Sequence, residues 1–222
     1  MTEKVLSSAM EDYLKAIYEL GEQGVKTQSL ADSLGVSPAS VTGMVQKLAK
    51  LNLVAYTRYR GVNLTEAGRK VALETLRHHR LLETYLAQAL GYPWHEVHDE
   101  AEKLEHVISE DFEQRIAEAL GHPNYDIHGD PIPALDGSLP AALGQSLSAF
   151  QRGQRVEITR ITRQDTDALR YLAEQGLLPG SSFHISDKAR MDGPITLRSA
   201  QDDSPVVIGF DLAQDIHARL LP

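Results

Sequence analysis

The stretch HDEAEKLEH, residues 98–106, contains His98, Glu102, Glu105 and His106, all side chains that can bind a metal. They fall at i, i+4, i+7 and i+8. At about 3.6 residues per turn they lie at roughly 0°, 40°, −20° and 80° around a helix axis, so all share one face. Imidazole and carboxylate on one face make a candidate site for a divalent cation. A charge run on a helix is ordinarily a solvated face. Three features favour a site here. Two histidines sit inside the acid cluster. His79 and Glu83 repeat the i, i+4 spacing on a neighbouring helix, and Asp12 stands on the first helix. Carboxylates gathered this closely repel one another unless a cation is present.

The chemistry of the ion is bounded by composition. The 222-residue chain has no cysteine. That excludes disulfides, thiolate zinc sites and a cysteine nucleophile. Oxygen and nitrogen donors favour manganese or ferrous iron over soft metals. Hydrophobic content of 42% with 24% charged residues is that of a soluble globular protein. No apolar run approaches membrane-spanning length. MTEKVLSSAMEDYLK has no apolar signal core, so a cytoplasmic location without a membrane partner is expected. A net charge of −9 argues against indiscriminate nucleic-acid binding but allows a local basic surface.

The elements that must carry these residues follow from periodicity. EDYLKAIYEL reads as a helix with Leu14, Ile17, Tyr18 and Leu20 on its core face. TQSLADSLGVSPASVTGMVQKLAKLNLV has the layout of a helix-turn-helix. Gly35 makes the turn, Ser37 caps the second helix, and Pro38 suits a first position whose N–H needs no partner. Val41, Val45 and Leu48 point to the core, and Ala39, Ser40, Thr42, Gly43, Gln46, Lys47 and Lys50 point away. LVAYTRYRGVNLT reads as a β wing turning at Arg60-Gly61, with Thr65 capping the next helix. Such a unit places a helix in the DNA major groove, where Gln46 and the short side chains meet base edges. Lys47, Lys50, Arg58 and Arg60 would meet phosphates, which position without reading sequence. From Met44 to Lys70 there are six bases and one acid, so the basic surface is local.

LRHHRLLETYLAQALGY reads as a helix, and VHDEAEKLEHVISEDFEQRIAEALG as one longer helix. Their apolar stripes point to a helix-packed dimer. RVEITRIT, SSFHISDKA, PITLRSA and SPVVIGF read as short strands, LRYLAEQG as a helix or turn, and DLAQDIHARL as a short final helix. Short strands at this density indicate a small SH3-like barrel. The expected fold is therefore mainly α with small β parts. It comprises an N-terminal winged helix-turn-helix at 1–74, a helical dimerisation and metal-binding domain at 75–142, a linker at 143–153, and a C-terminal SH3-like (FeoA-like) β-barrel at 154–222.

Together, MEDYLKAIYEL, the winged helix, RHHRLLE, VHDEAEKLEH, GDPIP and the β-rich tail resemble the metal-dependent repressors of the diphtheria toxin repressor and manganese transport regulator family. The resemblance covers essentially the whole chain and implies a homodimer that binds operator DNA when loaded with divalent metal. Carried over by position, it implies Asp12, Glu102, Glu105 and His106 as one ligand set, and His79, Glu83 and His98 as an ancillary set. Iron-sensing members carry Met where this chain has Asp12 and Cys where it has Glu102, so two carboxylates form the manganese pattern. Short manganese regulators have a further Glu where this chain has Lys15. Gln164 is the candidate ligand from the C-terminal domain. The DNA contacts expected from the helix and wing residues themselves are Ser37, Ala39, Ser40, Thr42, Gly43, Gln46, Lys47, Arg58 and Arg60.

The expected function is a manganese-responsive, DNA-binding transcriptional repressor of metal-homeostasis genes, and no enzyme. An iron-responsive repressor of the same kind is one alternative. A winged-helix regulator with a small organic effector is another. A metalloenzyme built on the carboxylate and histidine cluster is disfavoured, because the paired Glu-x-x-His motifs of diiron bundles are absent.

Overall fold

The computed structural model describes residues 6–57, 60–199 and 204–222. The chain divides into two compact units. One comprises Met1–His79, Glu102–Glu113 and Pro133–Leu139; the other comprises Arg80–Ala101, Gln114–Ile132 and Pro140–Pro222.

In the first unit, α1 (Ser8–Glu19), α2 (Thr27–Leu34) and α3 (Pro38–Lys50) are followed by β1 (Val54–Thr57) and β2 (Gly61–Leu64), and then by the start of α4 (Glu66–Leu90). Leu14, Ile17, Leu30, Val41, Val45, Leu48 and Val62 are completely buried at its centre. The α1 face is rotated from the sequence expectation. Met10 and Tyr13 join the core, Tyr18 is half-buried and Leu20 is exposed at the helix end. Gly35 ends α2 in the left-handed region, and Ser37 Oγ accepts from Ser40 N–H at the start of α3. The wing pairs antiparallel, Val54 opposite Leu64 through Thr57 opposite Gly61. Gly61 is required there: at φ +89° a Cβ would meet the Gly24 carbonyl oxygen at 2.6 Å. Arg58 and Tyr59, expected in the wing, lie outside the described residues. Thr65 Oγ1 accepts from Gly68 N–H and so caps α4, as its sequence position indicated. The helix then runs without a break past Glu74.

The acidic segment is two helices, α5 (Val97–Leu104) and α6 (Glu110–Ala119), where periodicity indicated one. Ser109 Oγ accepts from Phe112 N–H, and Glu110, Asp111 and Glu113 crowd the first turn of α6, so a new N-terminus is stabilised there. Glu105 and His106 consequently sit in the turn between the helices rather than on a helix face.

The second unit holds β3 (Gln145–Ser146), β4 (Arg155–Ile161), α7 (Thr166–Glu174), β5 (Ser182–Lys188), β6 (Ile195–Ser199), β7 (Pro205–Ile208), α8 (Phe210–Asp215) and β8 (Ile216–Leu220). The strands form one antiparallel sheet in the order β3-β8-β4-β5-β6-β7. Among the described residues β3 and β7 remain its edges, so the expected barrel is an open sheet. The expected final helix is half helix and half strand. In IHARL, buried Ile216 and Ala218 alternate with more exposed His217 and Arg219, the period of a strand. These residues face a core of Leu147, Val156, Ile158, Ile161, Leu169, Leu172, Ile185 and Leu197, with Trp94 packed against it.

Candidate metal centres and DNA-binding face

Within the first unit, ligand atoms of Asp12, Glu105 and His106 lie within 4.8 Å of one another, and so do those of His79, Glu102 and Glu105. Glu105 is the residue common to both groups and is almost fully buried. Its Oε2 accepts from His79 Nδ1–H at 2.5 Å, and its Oε1 accepts from the Lys15 ammonium at 2.6 Å. Glu102 Oε1 accepts from the same ammonium at 2.7 Å. Burial works against the charge on Lys15, but Glu105 and Glu102 outweigh it and hold the ammonium above its usual pKa.

His106 Nδ1–H donates to Glu11 Oε2 at 2.7 Å, which fixes the ring and leaves Nε2 facing inward. Nε2 stands 2.7 Å from Asp12 Oδ1, yet that oxygen is buried with no hydrogen-bond geometry to any described partner. Two electron-rich atoms this close need a proton or a cation between them. Burial pushes the Asp12 carboxyl above the ordinary range, against the opposing pull of His106 and Lys15. The oxygen and nitrogen donors fit a hard or borderline divalent ion. Glu11 was missed in the sequence because it is one residue from Asp12 and its contact spans 95 positions.

The second unit holds another donor group. Glu83, Asp126 and His128 are buried with ligand atoms within 4.8 Å of one another. His98 Nδ1–H donates to Glu83 Oε1 at 3.2 Å, and His79 stands one turn before Glu83 on α4. His128 Nε2–H donates to the Trp94 carbonyl at 3.1 Å, so Nδ1 faces Glu83 Oε2 at 3.5 Å without a hydrogen bond. That is an ion-pair distance. Burial opposes a charged His128, but Glu83 and Asp126 prevail and raise its pKa. Burial, with the charges of Asp130 and Glu83, pushes Asp126 up to about 7.

The loop DIHGDP builds this site. Asp126 Oδ1 accepts from the backbone N–H of His128 and Asp130, closing a turn. Gly129 passes so close to β4 that a Cβ would lie 2.0 Å from the Thr159 carbonyl oxygen. The His128 carbonyl accepts from Ile161 N–H at 2.8 Å, and Arg160 Nε donates to Asp130 Oδ1 at 2.6 Å. Asp126 and His128 escaped sequence reasoning because a turn has no helical spacing; two acids and a histidine within five residues were the available signal. Gln164 Oε1 is buried without a hydrogen-bond partner among the described residues.

On α3, Ser37, Ala39, Ser40, Gly43, Gln46, Lys47 and Lys50 are exposed and Thr42 is half-buried. Thr42 Oγ1 donates to the Pro38 carbonyl, and the Ser37 hydroxyl is engaged in the cap, so Gln46 and Lys47 offer the longest outward reach. Arg60 is exposed beside Gly61.

This arrangement of winged helix, donor clusters and C-terminal sheet has relatives. Residues 5–62 match the model for the iron dependent repressor N-terminal DNA binding domain, and residues 65–134 match that for its metal binding and dimerisation domain. The chain belongs to the iron-dependent repressor family. Residues 145–220 of this family member match the FeoA domain. It is 32% identical to the diphtheria toxin repressor of Corynebacterium diphtheriae, over 98% of this chain and 100% of that protein. It is 33% identical to the iron-dependent repressor IdeR of Mycobacterium leprae, over 81% of this chain and 84% of that one. Among solved structures, a manganese-dependent transcriptional repressor in complex with manganese superposes with a TM-score of 0.86 at 39% identity, covering 96% and 100% of the two chains. ScaR with bound zinc superposes with a TM-score of 0.79 at 31% identity, covering 96% and 99%. Members of the family are metal-dependent transcriptional repressors rather than enzymes. No described helix is long and apolar enough to cross a membrane.

Proposed function

We propose that this repressor is a homodimer that binds operator DNA when loaded with manganese. The observation that carries the reading is the meeting of Asp12, from α1 of the winged helix, with Glu105 and His106 around one point. A divalent cation bound there neutralises the carboxylates and cross-links the two segments. Asp12, Glu105 and His106 would hold it, with Glu102 beside them. His79, Glu83 and His98 are the ancillary ligands, and Asp126 and His128 extend the donor set at Glu83. Glu11 orients His106. Ser37, Ala39, Ser40, Thr42, Gly43 and Gln46 would meet base edges, and Lys47, Arg58 and Arg60 phosphates. Val107 and Phe112 are exposed apolar side chains within the dimerisation region and would be covered by the partner. Metal-homeostasis genes are the expected targets.

Iron is the second reading, favoured by the iron-dependent repressors among the relatives. The donor set accepts ferrous iron as well as manganese, since it contains no thiolate to bias it toward softer ions. Binding to the DNA upstream of the chain's own gene, titrated with manganese, ferrous iron and zinc, tests both readings. Manganese should raise affinity most. Equal affinity in chelator and in every metal would sink the metal-dependent mechanism.

A further inference from the structure

We infer that Lys15 is a tethered cation that sets the stoichiometry and affinity of the first metal cluster: its ammonium bridges Glu102 and Glu105, carboxylates that a further divalent ion would need. The inference rests on the metal-dependent reading above. The side chain is 8% exposed, and Nζ lies 2.7 Å from Glu102 Oε1 and 2.6 Å from Glu105 Oε1. Both are short, charge-assisted contacts. Glu105 Oε1 also lies 3.4 Å from His106 Nε2, the nitrogen that faces Asp12. The ammonium thus shares a carboxylate oxygen with the point where Asp12, Glu105 and His106 converge.

Two consequences follow from charge and connectivity. Asp12, Glu102 and Glu105 bring three negative charges, and Lys15 cancels one of them. A single divalent ion neutralises the remainder, while a second would have to be held against a buried positive charge. Lys15 is also part of α1, so its contacts tie α1 to residues 102–105 in the absence of any metal. An entering ion must compete with the ammonium for Glu105 Oε1, which raises the concentration at which the cluster fills.

The test uses the full chain as wild type, Lys15→Met and Lys15→Glu, each with and without Glu105→Gln to isolate this cluster. Manganese binding is followed by equilibrium dialysis and by electron paramagnetic resonance, and the chelator-treated proteins are melted. Wild type should bind one Glu105-dependent ion with an uncoupled spectrum. Lys15→Glu should bind one more and show an exchange-coupled pair. Lys15→Met should bind its ion on the order of tenfold more tightly, the scale of one nearby charge, and its metal-free form should melt at a lower temperature. The same stoichiometry and an uncoupled spectrum in a folded Lys15→Glu protein would overturn the inference. Unchanged affinity and melting in Lys15→Met would do the same without relying on the Glu variant. Wild type showing no Glu105-dependent manganese at all would instead remove the metal reading of the cluster.

Discussion

Glu11 stands outside the candidate donor groups, yet its contact sets which nitrogen of His106 faces them. Its carboxylate accepts a hydrogen bond from His106 Nδ1–H at 2.7 Å, which points Nε2 at Asp12. Partners of this kind typically govern metal affinity by about 10–100-fold. Glu11→Ala should therefore weaken manganese binding by roughly that factor in calorimetry, while Asp12, Glu105 and His106 remain in place. Unaltered affinity would show that the ring is oriented by something else. Asp126 gives a prediction about pH. Its folded-state pKa of about 7 lies above the ordinary carboxylate value, chiefly because of burial. The folded chain retains a proton that the unfolded chain has lost, so stability contributed by this group falls as pH rises from about 4 to about 7. Melting in chelator should reveal that decline, and Asp126→Asn should flatten it. An identical slope in the variant would place the titration on another group.

At the scale of elements, α3 and the wing act as a pair. Their exposed basic groups are expected on phosphates, which have the same charge beneath every sequence. Arg60→Ala should weaken binding to all DNA alike and reduce the salt slope by about one unit. A changed base preference with an intact slope would move Arg60 from the phosphates to the bases. The junction of wing and α4 depends on Gly68, whose Cβ would lie 1.9 Å from the Leu53 carbonyl oxygen. The offending atom is backbone, so relief requires α4 to shift from β1. Gly68→Ala should cost roughly 1–3 kcal/mol in denaturant titration, the usual scale of overpacking. A neutral result would mean that the helix start yields more easily than its Thr65 cap implies.

At the scale of the molecule, the proposed switch needs metal binding and DNA binding to be coupled, and Asp12 is the candidate ligand through which α1 takes part. Glu105 and His106 belong to the turn after α5, so they can retain an ion without it. Asp12→Ala should keep part of the manganese binding while losing most of its effect on operator affinity. His79→Ala should be milder, because the Asp12 link survives. Metal stoichiometry measured beside operator affinity in both variants separates these outcomes. Full metal-dependent DNA binding in Asp12→Ala, with its loss in His79→Ala, would reverse the roles.

The sequence alone determined the features governed by neighbours a few residues apart. Ser37-Pro38 starting α3, Gly35 ending α2 and Thr65 capping α4 were legible because caps are local chemistry, whereas Gly61, expected in the wing turn, is paired with Thr57 as the first residue of β2. The donor types of His98, Glu102, Glu105 and His106 were legible as well, but their single helix face was not, because Glu105 and His106 lie in the turn after α5. The division of one periodic helix into α5 and α6 was also local, a cap at Ser109 that the apolar stripe hid from the sequence reading. Tertiary structure decided what depends on distant partners. The last segment became β8 because β4 and β3 offered backbone partners on either side of it. The barrel stayed an open sheet because no described pairing joins β3 to β7. Lys15, a departure from the manganese pattern in sequence, proved to be a cation held between the carboxylates of Glu102 and Glu105. Glu11, Asp126 and His128 acquired their roles only when loops and helices brought them to His106 and Glu83. Side-chain distances of a few ångströms between residues tens of positions apart are set by packing, and linear spacing does not encode them.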